Sequence, residues 1–315
     1  MNIGFHSNQL GLRGTEIALY EYAYYAREYL DVHPYIISDR NANLDALEKF
    51  ANTFPVLLYD NFSEVTKLVD SNNLTAIYYQ KSGEFDHKLV PNAHNLVHAV
   101  FQKKQPHGEK YAYISKWLAD SMQWPHYVPY IVDITKHIHE WNLREYLNIP
   151  TDAFVFGYHG GRDSFNIPWV KEAVQRVVNT RSDCYFVFMN VEPFGEPSDR
   201  ILFLEGTHDM TKKVAFINTC DAMLHARNGG ESFGLSVAEF SSLNKPVLTT
   251  TWASVALNDL AHIDMLGNKS ILYTPDSILT ILTNIQKSDV IGKDWNAYIK
   301  YDSETVMKKF KETFL

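Results

Sequence analysis

The sequence contains very little cysteine: Cys184 and Cys220 are the only two among 315 residues. Their separation does not match a metal-binding motif, and one pair is too few for a disulfide framework. Cysteine is also among the residue types most often buried in folded proteins. We therefore expect two buried, reduced thiols in a protein of a reducing compartment.

Long apolar runs and an excess of positive charge are also missing. No stretch approaches the roughly 18 consecutive apolar residues that suggest a membrane-spanning helix. The opening "MNIGFHSNQL" lacks the basic and apolar regions of a signal peptide. The net charge of −8 gives no support to nucleic acid or an anionic membrane as the main partner. The sequence predicts a cytoplasmic protein and leaves peripheral membrane attachment open, although no basic amphipathic segment supports it.

What is present is a regular alternation of short apolar runs and helical patterns. Continuous apolar runs are typical of parallel strands that are buried on both faces, and the alternation predicts doubly wound α/β sheets. In the first half we predict strands at 2–7, 33–38, 55–60, 75–80, 95–100 and 110–115. In the second half we predict strands at 154–160, 184–190, 200–206, 222–226 and 246–251.

A polar, histidine-rich stretch interrupts this alternation near the middle of the chain. We therefore predict an N-terminal Rossmann-like domain at 1–132, a linker at 133–150 and a C-terminal Rossmann-like domain at 151–315. The final amphipathic helix, 303–315, could pack back on the N-terminal domain. The expected architecture is two α/β domains facing across a cleft, with the ligand at the carboxyl ends of the strands.

The stretch "ARNGGESFGLSVAEF" (226–240) combines a strand end, a glycine-rich turn and the start of a helix. Gly234 would cost about 1 kcal/mol of helix propensity relative to alanine, which is reasonable if a ligand approaches the backbone closely. Ser232 is the expected N-cap. The amides from Ser232 through Phe233 and Gly234 to Leu235 would then offer a diphosphate site at a helix N-terminus.

Two glutamates, Glu231 and Glu239, lie eight positions apart around this glycine. Eight helical residues advance about 12 Å, so the two carboxylates could reach opposite ends of a nucleotide sugar. Carboxylates accept hydrogen bonds from sugar and ribose hydroxyls. In the alternative interpretation Glu231 complements the helix dipole and Glu239 is a solvated surface residue. The spacing alone leaves both interpretations open.

The segment "GGESFGLSVAEF…NKPVLTT" resembles the E-x7-E signature of retaining glycosyltransferases with the GT-B fold, family 4 in particular. The resemblance implies that Glu231 orients the donor hexose and that Glu239 binds the ribose hydroxyls. It also implies transfer of a hexose from a nucleotide-diphosphate sugar to an acceptor hydroxyl with retention. No metal or other cofactor is expected, and the sequence lacks a D-x-D motif. The donor would be a UDP- or GDP-sugar, and the acceptor a glycan, a lipid-linked sugar or a small molecule.

Four other fragments resemble elements of the same family in the same order. "GLRGTE" is similar to its glycine-rich turn, which implies that Gly11 and Gly14 allow close approach to the donor phosphate. "NLVHAVF" implies that His98 contacts the donor sugar. "FGYHGGRDSF" aligns Arg162 with the arginine that binds the diphosphate, a task that suits a fork of donors. "EGTH" implies that His208 lies near the nucleotide base.

One departure from the family pattern concerns a lysine that normally follows the arginine by six residues. Pro168 occupies that position here. Lys171 and Arg227 are the two candidates to supply the missing positive charge. The departure also keeps two alternatives open: a nucleotide-sugar epimerase of related fold, and a catalytically degenerate protein that only binds sugar nucleotides.

Overall fold

The computed structural model describes residues 1–255 and 258–315. The chain divides into two compact units. The first unit comprises Met1–Ile131 and Lys300–Leu315, and the second comprises Val132–Ile299. Each unit contains a six-stranded sheet, and every strand pairing in these sheets is parallel. The predicted α/β class with two Rossmann-like sheets is therefore confirmed.

The first unit contains the predicted N-terminal strands. They are β1 (Asn2–Ser7), β2 (His33–Asp39), β3 (Val56–Tyr59), β4 (Ala76–Lys81), β5 (His94–Ala99) and β6 (Lys110–Tyr113). Its helices are α1 (Gly14–Leu30), α2 (Leu47–Ala51), α3 (Val65–Ser71) and α4 (Lys116–Ser121), with a 3-10 turn at Phe62–Glu64. The strand order is β3-β2-β1-β4-β5-β6. Every residue of the central strand β4 is buried, because helices cover both faces of such a sheet.

The second unit repeats this plan. The strands of its main sheet are β7 (Phe154–His159), β8 (Cys184–Met189), β9 (Ile201–Leu204), β10 (Ala222–Leu224), β12 (Val247–Thr249) and β14 (Ser270–Leu272). A separate two-stranded pair consists of β11 (Gly230–Glu231) and β13 (Asp259–Leu260). Its helices are α5 (Pro168–Thr180), α6 (Met210–Thr219), α7 (Leu235–Ser242), α8 (Ala261–Leu266), α9 (Ile278–Asn284) and α10 (Lys287–Val290). Short 3-10 turns lie at Ile134–His137 and Gly267–Lys269. The order of the main sheet is β14-β12-β10-β7-β8-β9.

The last helix, α11 (Ser303–Phe314), belongs to the first unit. The ring of Phe310 lies 5.3 Å from that of Tyr22 and 5.4 Å from that of Tyr78. The expectation that this helix packs back on the N-terminal domain is thus confirmed. The predicted range 151–315 for the second domain must be corrected accordingly, because the apolar face of α11 is buried against the aromatic residues of the first unit.

The predicted linker 133–150 also needs correction, since it is part of the second unit. Arg144 pairs with Asp221 at 2.8 Å and donates to the carbonyl oxygens of Ala153 and Thr219. Its polar, histidine-rich composition suggested a free connection, but these residues satisfy backbone carbonyls of the neighbouring strands and helices. Composition alone does not distinguish a linker from an irregular segment that is bound to a domain.

Both cysteines are buried free thiols, as expected. Burial, the largest influence in each case, raises the pKa of the Cys184 and Cys220 thiols to about 12. Within the described parts of the chain, no helix has the length and apolar character needed to cross a membrane.

Replacing Phe310 by alanine should destabilise the first unit. The side chain is fully buried among aromatic rings, and such truncations typically cost about 3–5 kcal/mol of unfolding free energy. Denaturant unfolding of Phe310→Ala and of Lys308→Ala, an exposed position on the same helix, measures the difference. Equal stability of the two variants would contradict the packing described for α11.

Candidate functional site

The second sheet has a topological switch point between β7 and β10. From β7 the chain adds β8 and then β9 on one side, whereas β10, β12 and β14 continue on the other. In open α/β sheets, ligands bind outside the carboxyl ends of the strands at such a point. His159 ends β7, and His225 directly follows β10. The loops that begin at these two residues therefore border the candidate site.

Gly234 is the N-cap of α7 and has a φ angle of 82°. The prediction that Ser232 is the N-cap of this helix is wrong, because Gly234 occupies that position. A Cβ atom on Gly234 would lie 3.1 Å from the Cβ of Glu231 and 3.2 Å from the Cβ of His262. The left-handed backbone and this crowding both require glycine. Packing within the protein therefore explains why glycine occupies position 234, without the close approach of a ligand that the sequence suggests.

Glu231 lies in strand β11 and not in α7, so the 12 Å helical spacing does not apply to the two glutamates. Its side chain is almost buried, with the residue 8% exposed. Nη1 of Arg227 donates to Oε2 at 2.6 Å, and Nε2 of His225 lies 3.3 Å from Oε1. Burial alone would raise the pKa of this carboxyl, but the Arg227 charge and then His225 outweigh it and lower the pKa to about 2.

A buried polar network fixes His225 behind Glu231. The Thr249 hydroxyl lies 2.9 Å from Nδ1 of His225 and 3.1 Å from Nε2 of His262. The Tyr273 hydroxyl donates to the carbonyl oxygen of His225. Burial lowers the pKa of His262 to about 3, so this ring is neutral at physiological pH. The position of the Glu231 carboxylate is therefore set by partners on several elements.

Glu239 lies in α7 and is 3% exposed, which excludes the alternative of a solvated surface residue. Nζ of Lys213 lies 2.7 Å from its Oε1, and Nε2 of His159 lies 2.9 Å from its Oε2. Burial would raise the pKa of Glu239, but the Lys213 charge and then His159 lower it to about 2. Both glutamates of the motif are thus buried carboxylates held ionised by neighbouring cationic or donor groups.

Sequence reasoning missed Lys213 and His159. Lys213 lies on α6 and is only 3% exposed, next to the buried residues Val214 and Ala215. A lysine on the buried face of a helix was the available signal, because lysine is seldom buried without a partner. The sequence pattern places His159 only near the end of a predicted strand, 154–160. Neither residue is near Glu239 in the sequence.

The three candidate cations differ in what they contact. Arg162 is exposed on the loop after β7, and among the described residues its guanidinium has no hydrogen-bond or ion-pair partner. Nζ of Lys171 lies 5.1 Å from the centre of the Phe194 ring, and Arg227 is paired with Glu231. Pro168 occupies the first turn of α5, where proline is favoured. Among the described residues, Arg162 is therefore the one of these three whose charged group contacts neither a carboxylate nor an aromatic ring.

His98 lies in the core of the first unit and is 0% exposed. Its Nδ1 lies 2.6 Å from the Tyr78 hydroxyl, and its Nε2 lies 2.9 Å from the carbonyl oxygen of Val128. Burial lowers the pKa of this ring to about 4. Both nitrogens are occupied inside the protein, so the expected contact with a sugar finds no support in this placement. The apolar strand pattern predicted the position of His98 correctly. A lone histidine in such a run is usually a core residue, and the structure places His98 in the core.

The other predicted site residues lie in loops and helix starts. In the first unit, Gly11 precedes α1 and Gly14 is its first residue. In the second unit, His208 is exposed on the segment between β9 and α6, and Phe233 is buried with its ring 5.9 Å from that of Tyr298. Only the backbone of Phe233 could therefore serve a ligand. Within residues 1–255 and 258–315, no group of three or more His, Cys, Asp or Glu residues is placed to hold a metal ion.

Comparisons with known proteins find similarity in structure only. No protein-family model and no curated protein sequence matches the chain. One similar structure is HepE from Anabaena, solved in complex with UDP-glucose. The match covers 99% of this chain and 99% of the HepE chain at 15% identity, with a TM-score of 0.74. A second is WaaG, a glycosyltransferase involved in lipopolysaccharide biosynthesis. The match covers 99% of this chain and 98% of the WaaG chain at 12% identity, with a TM-score of 0.68. The chain therefore has the same fold as these two proteins, the GT-B fold.

Replacing Gly234 by alanine should destabilise the second unit. A left-handed residue costs about 1–2 kcal/mol when it carries a Cβ, and the crowding against Glu231 and His262 adds to that cost. Gly292→Ala is the matched control, because Gly292 has a φ of 77° but a Cβ at that position would meet no atom within 4 Å. Denaturant unfolding should show a larger loss for Gly234→Ala. An equal or smaller loss would contradict the crowding.

The two buried carboxylates also predict an acid-sensitive stability. Their pKa values fall from 4.5 to about 2 on folding, so their stabilisation is complete above about pH 4.5 and is lost as the pH falls toward 2. The double variant Glu239→Gln/Lys213→Met removes one charged pair without leaving a buried charge unpaired. Between pH 5 and pH 3, urea unfolding should show a smaller loss of stability in this variant than in the wild type. Identical losses would contradict the ionised state of Glu239.

Proposed function

We propose that the protein is a glycosyltransferase that moves a hexose from a nucleotide-diphosphate sugar to an acceptor hydroxyl. The observation that carries the proposal is the placement of two buried, ionised carboxylates, Glu231 and Glu239, around Gly234 at the switch point of a GT-B-fold sheet. HepE, which has the same fold, is solved with UDP-glucose. The order of the two glutamates supports the narrower assignment to retaining enzymes like those of family 4.

The diphosphate of the donor would bind at the start of α7. The first N–H groups of a helix have no acceptor within the helix, and here they begin at Leu235. The amides of Ser232, Phe233 and Gly234 precede them in the same turn. Arg162, exposed and available, would add a full positive charge and a bidentate fork of donors. These groups would stabilise the negative charge that develops on the leaving diphosphate.

The sugar and ribose hydroxyls of the donor would be recognised by the two carboxylates. Glu231 would accept hydrogen bonds from the hexose, and Glu239 would accept them from the ribose. His208, on the segment after β9, would lie toward the base. In the first unit, the turn with Gly11 and Gly14 follows β1, the strand at that sheet's own switch point, and is the candidate for the acceptor side. His98 is left out because both of its ring nitrogens are bonded within the core.

In the proposed reaction the bond between the anomeric carbon and the diphosphate oxygen breaks, and the oxygen keeps the electron pair. The acceptor oxygen forms a bond to the same carbon on the same face, which retains the configuration. The acceptor proton leaves with the diphosphate. No redox partner is needed, and we propose that the reaction requires no metal or cofactor. A UDP- or GDP-sugar is the proposed donor, and a glycan, a lipid-linked sugar or a small molecule the acceptor.

Epimerisation of a nucleotide sugar is the second candidate. A protein named as a UDP-N-acetylglucosamine 2-epimerase from Listeria monocytogenes has a related structure, with 12% identity, 98% of this chain and 94% of its own covered, and a TM-score of 0.58. Its TM-score is lower than that of HepE, so transfer is the preferred proposal. An isomerised free nucleotide sugar among the products would favour epimerisation. Binding without any turnover would favour a degenerate binding protein.

The proposal is tested with the full chain and a set of UDP-, GDP- and ADP-sugars. One of them should raise the apparent melting temperature, because a ligand that binds only the native state stabilises it. With that donor, Arg162→Ala should lower kcat/KM for transfer or donor hydrolysis about 10²- to 10³-fold through loss of charge stabilisation.

The matched control is Arg176→Ala, an exposed arginine on α5 of the same unit, which should leave the rate unchanged. Unchanged turnover in folded Arg162→Ala, or no binding of any of these sugars by the wild type, would contradict the proposed function.

A further inference from the structure

Glu239 contacts two side chains, Lys213 and His159, to which the proposed function assigns no role. Lys213 comes from α6, His159 from the end of β7 and Glu239 from the middle of α7, and all three side chains are nearly or fully buried. Three separate elements therefore converge on one carboxylate. Nζ of Lys213 lies 2.7 Å and Nε2 of His159 lies 2.9 Å from the carboxylate oxygens of Glu239, so both side chains contact it directly.

Burial of an ion pair is not in general the most stable way to build a core. Moving a lysine and a carboxylate out of water has a large desolvation cost, and well-packed apolar residues often replace such pairs without loss of stability. The ring of His159 also packs on Phe240, at 5.8 Å between centroids and an interplanar angle of 23°. A phenylalanine at position 159 could make the same stacking contact. The chemistry of Lys213 and His159 therefore calls for an explanation other than packing.

The hydrogen bonding of the cluster is incomplete on one side. Lys213 donates a hydrogen bond to Oε1 of Glu239, so this oxygen has a partner. His159 Nε2 and Glu239 Oε2 lie 2.9 Å apart, but among the described residues neither atom has a hydrogen-bond partner. Buried polar atoms without partners are rare in native proteins and are costly. The two atoms without partners, the acceptor Oε2 of Glu239 and the ring nitrogen Nε2 of His159, are neighbours.

We propose that Lys213 and His159 are positioning residues that set Glu239 to recognise the ribose diol of the donor nucleotide. Lys213 neutralises the carboxylate and fixes Oε1. This leaves Oε2 and the neighbouring His159 Nε2 to be completed by hydroxyls, which both donate and accept hydrogen bonds. The inference rests on the proposed function, since it assumes that a nucleotide binds at this edge. It adds that the site distinguishes ribose from 2′-deoxyribose through these two residues.

The test measures dissociation constants of UDP, GDP and ADP and of their 2′-deoxy analogues by calorimetry. For the nucleotide that binds most tightly, the wild type should prefer the ribose form at least about tenfold, because the 2′-deoxy form loses a hydrogen bond to a charged group. His159→Phe, which keeps the stacking on Phe240, and Lys213→Met should each reduce this preference toward one. Lys212→Met, the exposed neighbour on α6, should retain it.

The possible outcomes separate the inference from the proposed function. If no nucleotide binds to the wild type, the proposed function is overturned. If nucleotides bind without a preference for ribose, or if folded His159→Phe keeps the wild-type preference, the inference is overturned and the proposed function stands. Lys213→Met leaves Glu239 unpaired and could fail to fold, and in that case the His159→Phe result decides alone.

Discussion

The burial of Glu239 is the constraint on which the arrangement of the second unit depends. A carboxylate that is 3% exposed must be neutralised or paired, and here Lys213 from α6 and His159 from β7 provide the compensation. These contacts join α6, the end of β7 and α7 at the carboxyl edge of the sheet. Glu231 is compensated in the same way by Arg227 and His225. We propose that these two ionised carboxylates recognise hydroxyl groups of the donor.

Most of the fold could be predicted from the sequence because buried parallel strands are continuous apolar runs. β1, β5 and β7 lie within one or two residues of their predicted ranges. The short strands β11, β13 and β14 were missed, since segments of two or three residues are too short to show a period. The final helix was recognised as amphipathic and expected to pack back on the N-terminal domain, and the structure assigns it to the first unit.

The candidate site was predicted only as far as local sequence allows. The glycine-rich turn and the two glutamates are neighbours in sequence, so their pattern was visible. Lys213 and His159 are brought to Glu239 by tertiary packing, and no local pattern connects them. His98 shows the opposite case, in which a histidine in an apolar strand matched a family position and yet is bonded entirely within the core. Residue type and position do not determine what a side chain contacts.

We propose that a nucleotide-diphosphate sugar binds at the start of α7. This binding mode is tested by hydrogen–deuterium exchange of the full chain, with and without the donor sugar that gives the largest thermal shift. We expect slower exchange at the amides from Ser232 to Val237 and in the loop that contains Arg162, because bound phosphate oxygens would accept hydrogen bonds from those groups. Protection confined to other segments, with these amides unchanged under saturating donor, would contradict donor binding at this helix.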